Sequence, residues 1–142
     1  MIKQNLNKLY QGGKVYLRGN DMEYFGDTSK LSKILSNPRL RTKAFGRNRS
    51  KRIGQRLSDF EEAATLDDIS YLPPVRLHQL HGNRENQFAV DVGINWRMIF
   101  EGYDQHDELT TTTTHIVTIV ILEIEDYHPG LFIEFQKSSA IP

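Results

Sequence analysis

The spacing of apolar positions changes from helical to alternating near residue 72. Between residues 38 and 64 they recur at steps of three and four. Leu40 and Ala44, then Ile53, Leu57, Phe60 and Ala64, fall on one face, the pattern of an amphipathic helix. A shorter run before it, with Leu31, Ile34 and Leu35 at i, i+3 and i+4, predicts a helix over 30–35 that Asp27 or Thr28 can cap. Asn37-Pro38 separates the two, since proline is favoured at a first helical position. Gly46 and Gly54 fall inside the longer period and each weakens it by up to ~1 kcal/mol against alanine, so packing must hold that helix. Tyr71-Leu72-Pro73-Pro74 then ends helical structure.

Beyond the prolines the period is two. Phe88, Val90 and Val92 alternate with Ala89 and Asp91, and Trp96, Met98 and Phe100 alternate with Arg97 and Ile99. Gly93-Ile94-Asn95 between these runs has the length of a hairpin turn. Residues 115–124, HIVTIVILEI, are apolar enough to predict a central strand buried on both faces. Pro129-Gly130 ends that strand, and Leu131-Phe132-Ile133 predicts a further short strand or a cover for the core. Five consecutive threonines at 110–114 favour extended backbone, and Glu23-Tyr24-Phe25 reads as a short edge strand. The order of elements is that of an α+β fold, with two helices on one face of an antiparallel sheet of three to five strands.

At 142 residues the chain is most simply one domain. Residues 1–21 are weakly patterned, with Gly12-Gly13 and Gly19-Asn20 as breakers, and read as an extension; Met22 is an alternative start. Residues 22–135 carry the domain and 136–142 a tail. No run approaches the roughly 18 apolar residues of a membrane span, and the first residues lack the apolar core of a secretory signal. The chain has no cysteine, which excludes disulfides, thiolate metal sites and cysteine nucleophiles and is compatible with the cytoplasm.

Charge changes this picture more than composition does. The formal net charge is zero, but residues 1–57 hold 14 Lys and Arg against three acids, while residues 58–142 hold four against 15. Residues 39–56 carry eight cations and no anion. Such segregation predicts a basic face for a polyanion or an acidic partner, or pairing of the two halves across the fold.

Candidate chemistry is concentrated in residues 72–100, which hold His78, His81, Arg84 and Arg97, and in Glu125-Asp126-Tyr127-His128. Residues of these types can handle a phosphodiester, and metal-free cleavage of RNA is one reaction they suit. A base takes the proton of the ribose 2′-hydroxyl, cations stabilise the charged phosphorane, and an acid protonates the departing 5′-oxygen. Histidine serves either transfer because its ordinary pKa is ~6.5. Arginine's fixed fork suits phosphate oxygens and keeps its charge.

The pattern Leu72-Pro73-Pro74-x-Arg76-x-His78-x-Leu80-x-Gly82-x-Arg84-x-x-Gln87-x-Ala89-x-Asp91, then Arg97-x-Ile99-Phe100, then Glu123-Ile124-x-Asp126-Tyr127-His128, resembles the RelE/HigB toxin family, nearest its HigB (plasmid-maintenance killer) branch. The resemblance spans about residues 24–128. It implies a RelE-like fold, with two amino-terminal helices against a curved antiparallel sheet. It also implies a ribosome-dependent endoribonuclease of messenger RNA. A small HigA-like helix-turn-helix antitoxin would neutralise it, and operator DNA would be met only through that antitoxin. No cofactor and no membrane are implied.

The candidate catalytic set is then His78, His81, Arg84, Arg97, Tyr127 and His128. His128 is assigned proton transfer and His78 catalysis or phosphate contact; the plainer readings are a strand-capping histidine and a loop-stabilising hydrogen bond. Arg84 and Arg97 are candidate phosphate clamps, the alternative for Arg97 being a cross-strand salt bridge with Asp91 or Glu123. Tyr127 can stack on a base or fill the core, and Asp126 can orient a histidine or cap the turn. Where the family commonly has lysine this chain has His81, so either His81 joins the proton-transfer set or phosphate stabilisation is weaker. Arg41, Arg47, Arg49, Lys51 and Arg76 are candidate contacts to RNA and the ribosome. Competing readings are a zinc site of His78, His81, Asp126 and His128, a gyrase-binding ParE-like toxin of the same fold, and a degenerate toxin serving only as a repressor partner.

Overall fold

A computed structural model of the chain describes residues 21–127. Helix α1 (Ser29–Ser36) begins where the Thr28 hydroxyl accepts the Leu31 N–H at 3.1 Å, the expected cap. Helix α2 (Pro38–Phe45) starts on Pro38, with the Asn37 side chain accepting from the Arg39 and Leu40 amides. The single helix expected from residue 38 to 64 is two. Gly46 takes φ +89°, a conformation that costs a Cβ-bearing residue energy, and the chain restarts as α3 (Arg47–Glu62). The expected apolar face holds only on α3, where Ile53, Leu57 and Phe60 are buried; α2 buries no residue, and Ala44 and Ala64 are exposed.

Five strands follow the alternating runs: β1 (Glu23–Gly26), β2 (His78–Gln79), β3 (Gln87–Asp91), β4 (Trp96–Tyr103) and β5 (Thr118–Asp126). They form one open sheet in the order β1-β5-β4-β3-β2. The expectation of an antiparallel sheet holds for four strands only. Strand β1 pairs parallel to β5, Phe25 opposite Val120, so the sheet is mixed. Three helices intervene between β1 and the rest of the sheet in sequence, and that connection lets β1 lie at the edge in either sense. The hairpin turn is as expected, with Gly93 at φ +122° and Asn95 at φ +66°. Strand β5 begins later than the apolar run suggested, because Thr113–His115 form a 3₁₀ turn. Its burial on both faces holds for the first half, Thr118 to Ile121; from Leu122 onward it is partly exposed.

Alternation divides the sheet. Phe88, Val90, Met98, Phe100, Ile119 and Ile121 join Ile53, Leu57 and Phe60 of α3 in the main core. The opposite face carries a small apolar cluster of Leu80, Ala89 and Ile99, with Leu122 against it. Val120 and Phe25, in the row of Glu101, are also apolar and buried on that face; the candidate chemistry lies on its other part, with Arg97, Glu123 and Glu125. Among the described residues no helix is long and apolar enough to cross a membrane. The expected extension, the tail, Leu131-Phe132-Ile133 and His128 lie outside the described residues.

Candidate active site on the polar face of the sheet

Register builds the site. His78 pairs with Ala89, Ala89 with Ile99, and Ile99 with Glu123; one row along, Asp91 pairs with Arg97 and Arg97 with Glu125. Paired residues share a face, so His78, Arg97, Glu123 and Glu125 all stand on the side away from the helices. Two strand spacings and two residues of rise put the His78 and Arg97 Cα atoms ~12 Å apart. Long side chains can serve one substrate across that span.

His78 is half-buried, and its Nδ1 lies 2.8 Å from the Arg76 carbonyl oxygen. A carbonyl only accepts, so Nδ1–H donates and the neutral ring keeps its lone pair on Nε2. The loop-stabilising bond is thus present, and it leaves Nε2 as the acceptor atom of the neutral ring. His81, which precedes the 3₁₀ turn Gly82–Arg84, is exposed and its side chain caps nothing.

Arg84 reaches from the β2–β3 connection across to β5. Its guanidinium donates to Gln87 Oε1 at 3.0 Å and to Glu123 Oε2 at 2.9 Å, and lies 3.9 Å from Glu125 Oε1. Arg97 donates through Nε to Glu125 Oε2. The cross-strand salt bridge considered for Arg97 is thus present, with Glu125 in place of Asp91 or Glu123. The Arg97 side chain is 13% exposed, and the Tyr127 ring covers its guanidinium at 4.0 Å, a cation–π contact. Tyr127 is held in turn by its own N–H, which donates to the Asn95 carbonyl in the hairpin turn. It is a lid on Arg97 and not core filler.

Arg76, a candidate RNA contact, grips Asp91 with two bonds of 2.8 and 3.1 Å, and this carboxylate raises its pKa above the usual arginine value. The opposite wall of the same region is Arg56, which is 4% exposed. It donates to the Asp91 carbonyl and to Asp59. A cavity of about 360 Å³ lies between, lined by Arg52, Arg56, Arg76, Asp91, Trp96 and Tyr127 among others.

The four helix cations expected to contact the ribosome separate into two kinds. Arg41 donates to the Leu35 carbonyl at the end of α1, and Arg49 bonds the Phe45 carbonyl and lies 4.2 Å over the Trp96 ring. Both tie elements together. Arg47 and Lys51 are exposed, with no ion pair among the described residues.

No group of three or more His, Asp or Glu among the described residues is arranged to hold a metal ion; His128, one of the four residues considered for zinc, lies outside them. Sequence reasoning left Glu125, Gln87 and Arg56 without a role, and gave Glu123 only as an alternative partner of Arg97. Their signal was available in part: opposite charges at positions 97 and 125 on the last two strands are a pairing candidate once those strands are taken as neighbours. Comparison with protein-family models and with curated proteins gives no match for this chain.

Proposed function

We propose that this protein is the toxin of a type II toxin-antitoxin system with a RelE-like fold of the HigB kind. It acts as a ribosome-dependent, metal-independent endoribonuclease of messenger RNA in the cytoplasm and is neutralised by a helix-turn-helix antitoxin. In the reaction O2′ attacks phosphorus, its proton passes to a base, the P–O5′ bond breaks and the 5′-oxygen takes a proton from an acid. The observation that carries this reading is the convergence of Arg84, Arg97 and Tyr127 on the sheet face that bears His78, joined to the motif that ends in Asp126-Tyr127-His128. His78 offers Nε2 for proton transfer, Arg97 and Arg84 offer guanidinium groups for phosphate, and His128 supplies the second imidazole.

One observation favours a second reading, a ParE-like toxin that binds gyrase without cutting RNA. Arg76, Arg84 and Arg97 are each paired with a carboxylate, which suits a binding surface as well as a catalytic one. Expression in a bacterial host separates the two. The nuclease reading expects growth arrest and new messenger ends bearing 5′-hydroxyl groups, lost in His128→Gln. Arrest with gyrase-linked DNA breaks and intact messengers would sink it.

Ribosome binding is assigned to the exposed cations of α3. The double change Arg47→Gln, Lys51→Gln is expected to weaken ribosome co-sedimentation and to flatten the salt dependence of log Kd by about 1.5, two phosphate contacts' worth. Arg41→Gln is expected to lower thermal stability instead. Unchanged co-sedimentation of the double variant would reject the assignment.

A further inference from the structure

Two guanidinium groups and two carboxylates meet on the polar face: Arg84 with Glu123 and Glu125, and Arg97 with Glu125. Their charges sum to zero. Glu125 is the member that touches both cations, Oε2 on Arg97 and Oε1 3.9 Å from Arg84. A carboxylate placed this way presents two oxygens of one anion to two forks. The two non-bridging oxygens of a phosphodiester have the same form, and guanidinium binds both anions by the same paired N–H geometry.

We infer that Glu125 is an internal stand-in for the substrate phosphate, and that single-stranded RNA engages Arg97 and Arg84 by displacing it. This inference rests on the nuclease reading. The displacement is open to the side chain: Glu125 is only 25% exposed, but it lies near the end of the last strand, beside the exposed Asp126. Arg97 by contrast is fixed from above by Tyr127. The acid can leave while the cation stays. The pairing has two consequences. It keeps the site from binding anions indiscriminately, and it sets affinity by competition, so Glu125 is a specificity-determining residue and not a catalytic one. Glu123, whose 2.9 Å bond is to Arg84, governs that side of the site.

The test measures binding of a 2′-O-methylated oligoribonucleotide, which lacks the nucleophile and is not cut, to the full chain at several salt concentrations. Glu125→Gln is expected to bind about tenfold tighter, with log Kd against log salt steeper by about 0.7, one added cation–phosphate pair. Glu62→Gln, the same change in net charge on the exposed end of α3, is expected to leave binding within about twofold, far from the pair concerned. Adding Arg97→Gln to Glu125→Gln is expected to abolish the gain. Glu125→Gln binding no tighter, in a protein whose melting curve shows it folded, would overturn the inference and leave Glu125 as a strut for Arg97. Should Glu125→Gln fail to fold, Glu123→Gln carries the test through Arg84, with about a threefold gain expected and no gain counting against the idea. The nuclease reading fails separately: Arg97→Gln alone leaving the binding of the unchanged protein intact would remove RNA from this face altogether.

Discussion

Replacing His78 with asparagine is expected, on the nuclease proposal, to cut RNA cleavage by ~10²–10⁴-fold, the usual worth of a positioned proton-transfer group, while the protein stays folded. The choice of asparagine follows from the geometry. Its side-chain amide falls close to where Nδ1 stands, so the bond to the Arg76 carbonyl can persist while the basic Nε2 is removed. A glutamine would reverse that, reaching the Nε2 position and leaving the carbonyl without its donor. If His78 served only to hold the loop, Asn should retain activity and Gln should lose stability. If it moves a proton, Asn should be inactive and as stable as the parent. Ribosome-programmed cleavage of a defined messenger, with thermal melting of the same preparations, tells these apart. A folded Asn variant that cuts at the parent's rate would remove His78 from the chemistry. Its burial pattern and tautomer would then be features of loop structure alone.

How much of this was legible in the sequence depends on the range of the interaction. The period of the apolar residues located α1, β3, β4 and most of β5, because burial on one face imposes its own repeat. The same signal read through Gly46 without seeing the break: Leu40 and Ala44 match the period in sequence, but the backbone turns at Gly46 and α2 buries none of its residues. Strand sense was not legible either. Glu23-Tyr24-Phe25 was readable as an edge strand, but parallel and antiparallel pairing satisfy the same short alternation, and the choice is made by how the helices carry the chain over. Among candidate site residues, the opposition of Arg97 to Trp96 and Met98 followed from alternation. What the arginines bind did not. Glu123 and Glu125 lie 39 and 28 residues from the arginines they meet, and Arg76 is drawn to Asp91 by register that no local pattern encodes. Arg41 and Arg49 looked like surface cations because charge alone was visible; their carbonyl and Trp96 contacts are tertiary.

The largest stability effect is expected at Phe60. Its ring is fully buried on α3, 5.4 Å from the Phe100 ring at 70° and 6.4 Å from the Tyr24 ring at 55°. Phe100 in turn stacks on Phe88 at 5.8 Å and 16°. This aromatic series runs from the helix layer through β4 to β3, and Tyr24 extends it to the edge strand β1. Phe60→Ala is expected to destabilise by ~3–5 kcal/mol, the sum of lost transfer energy and the cavity left behind, including ~0.5–1.5 kcal/mol from each well-oriented ring pair. Against a whole-domain stability of ~5–15 kcal/mol, that loss leaves the fold marginal. The measurement is the urea midpoint at constant m-value. A loss below ~1.5 kcal/mol would mean that α3 settles onto the sheet and refills the space, so that the ring is not the joint between the layers. The polar face lies on the other side of the sheet from Phe60, with β3, β4 and β5 between. Any activity lost in Phe60→Ala should therefore return when temperature is lowered, whereas activity lost in His78→Asn should not.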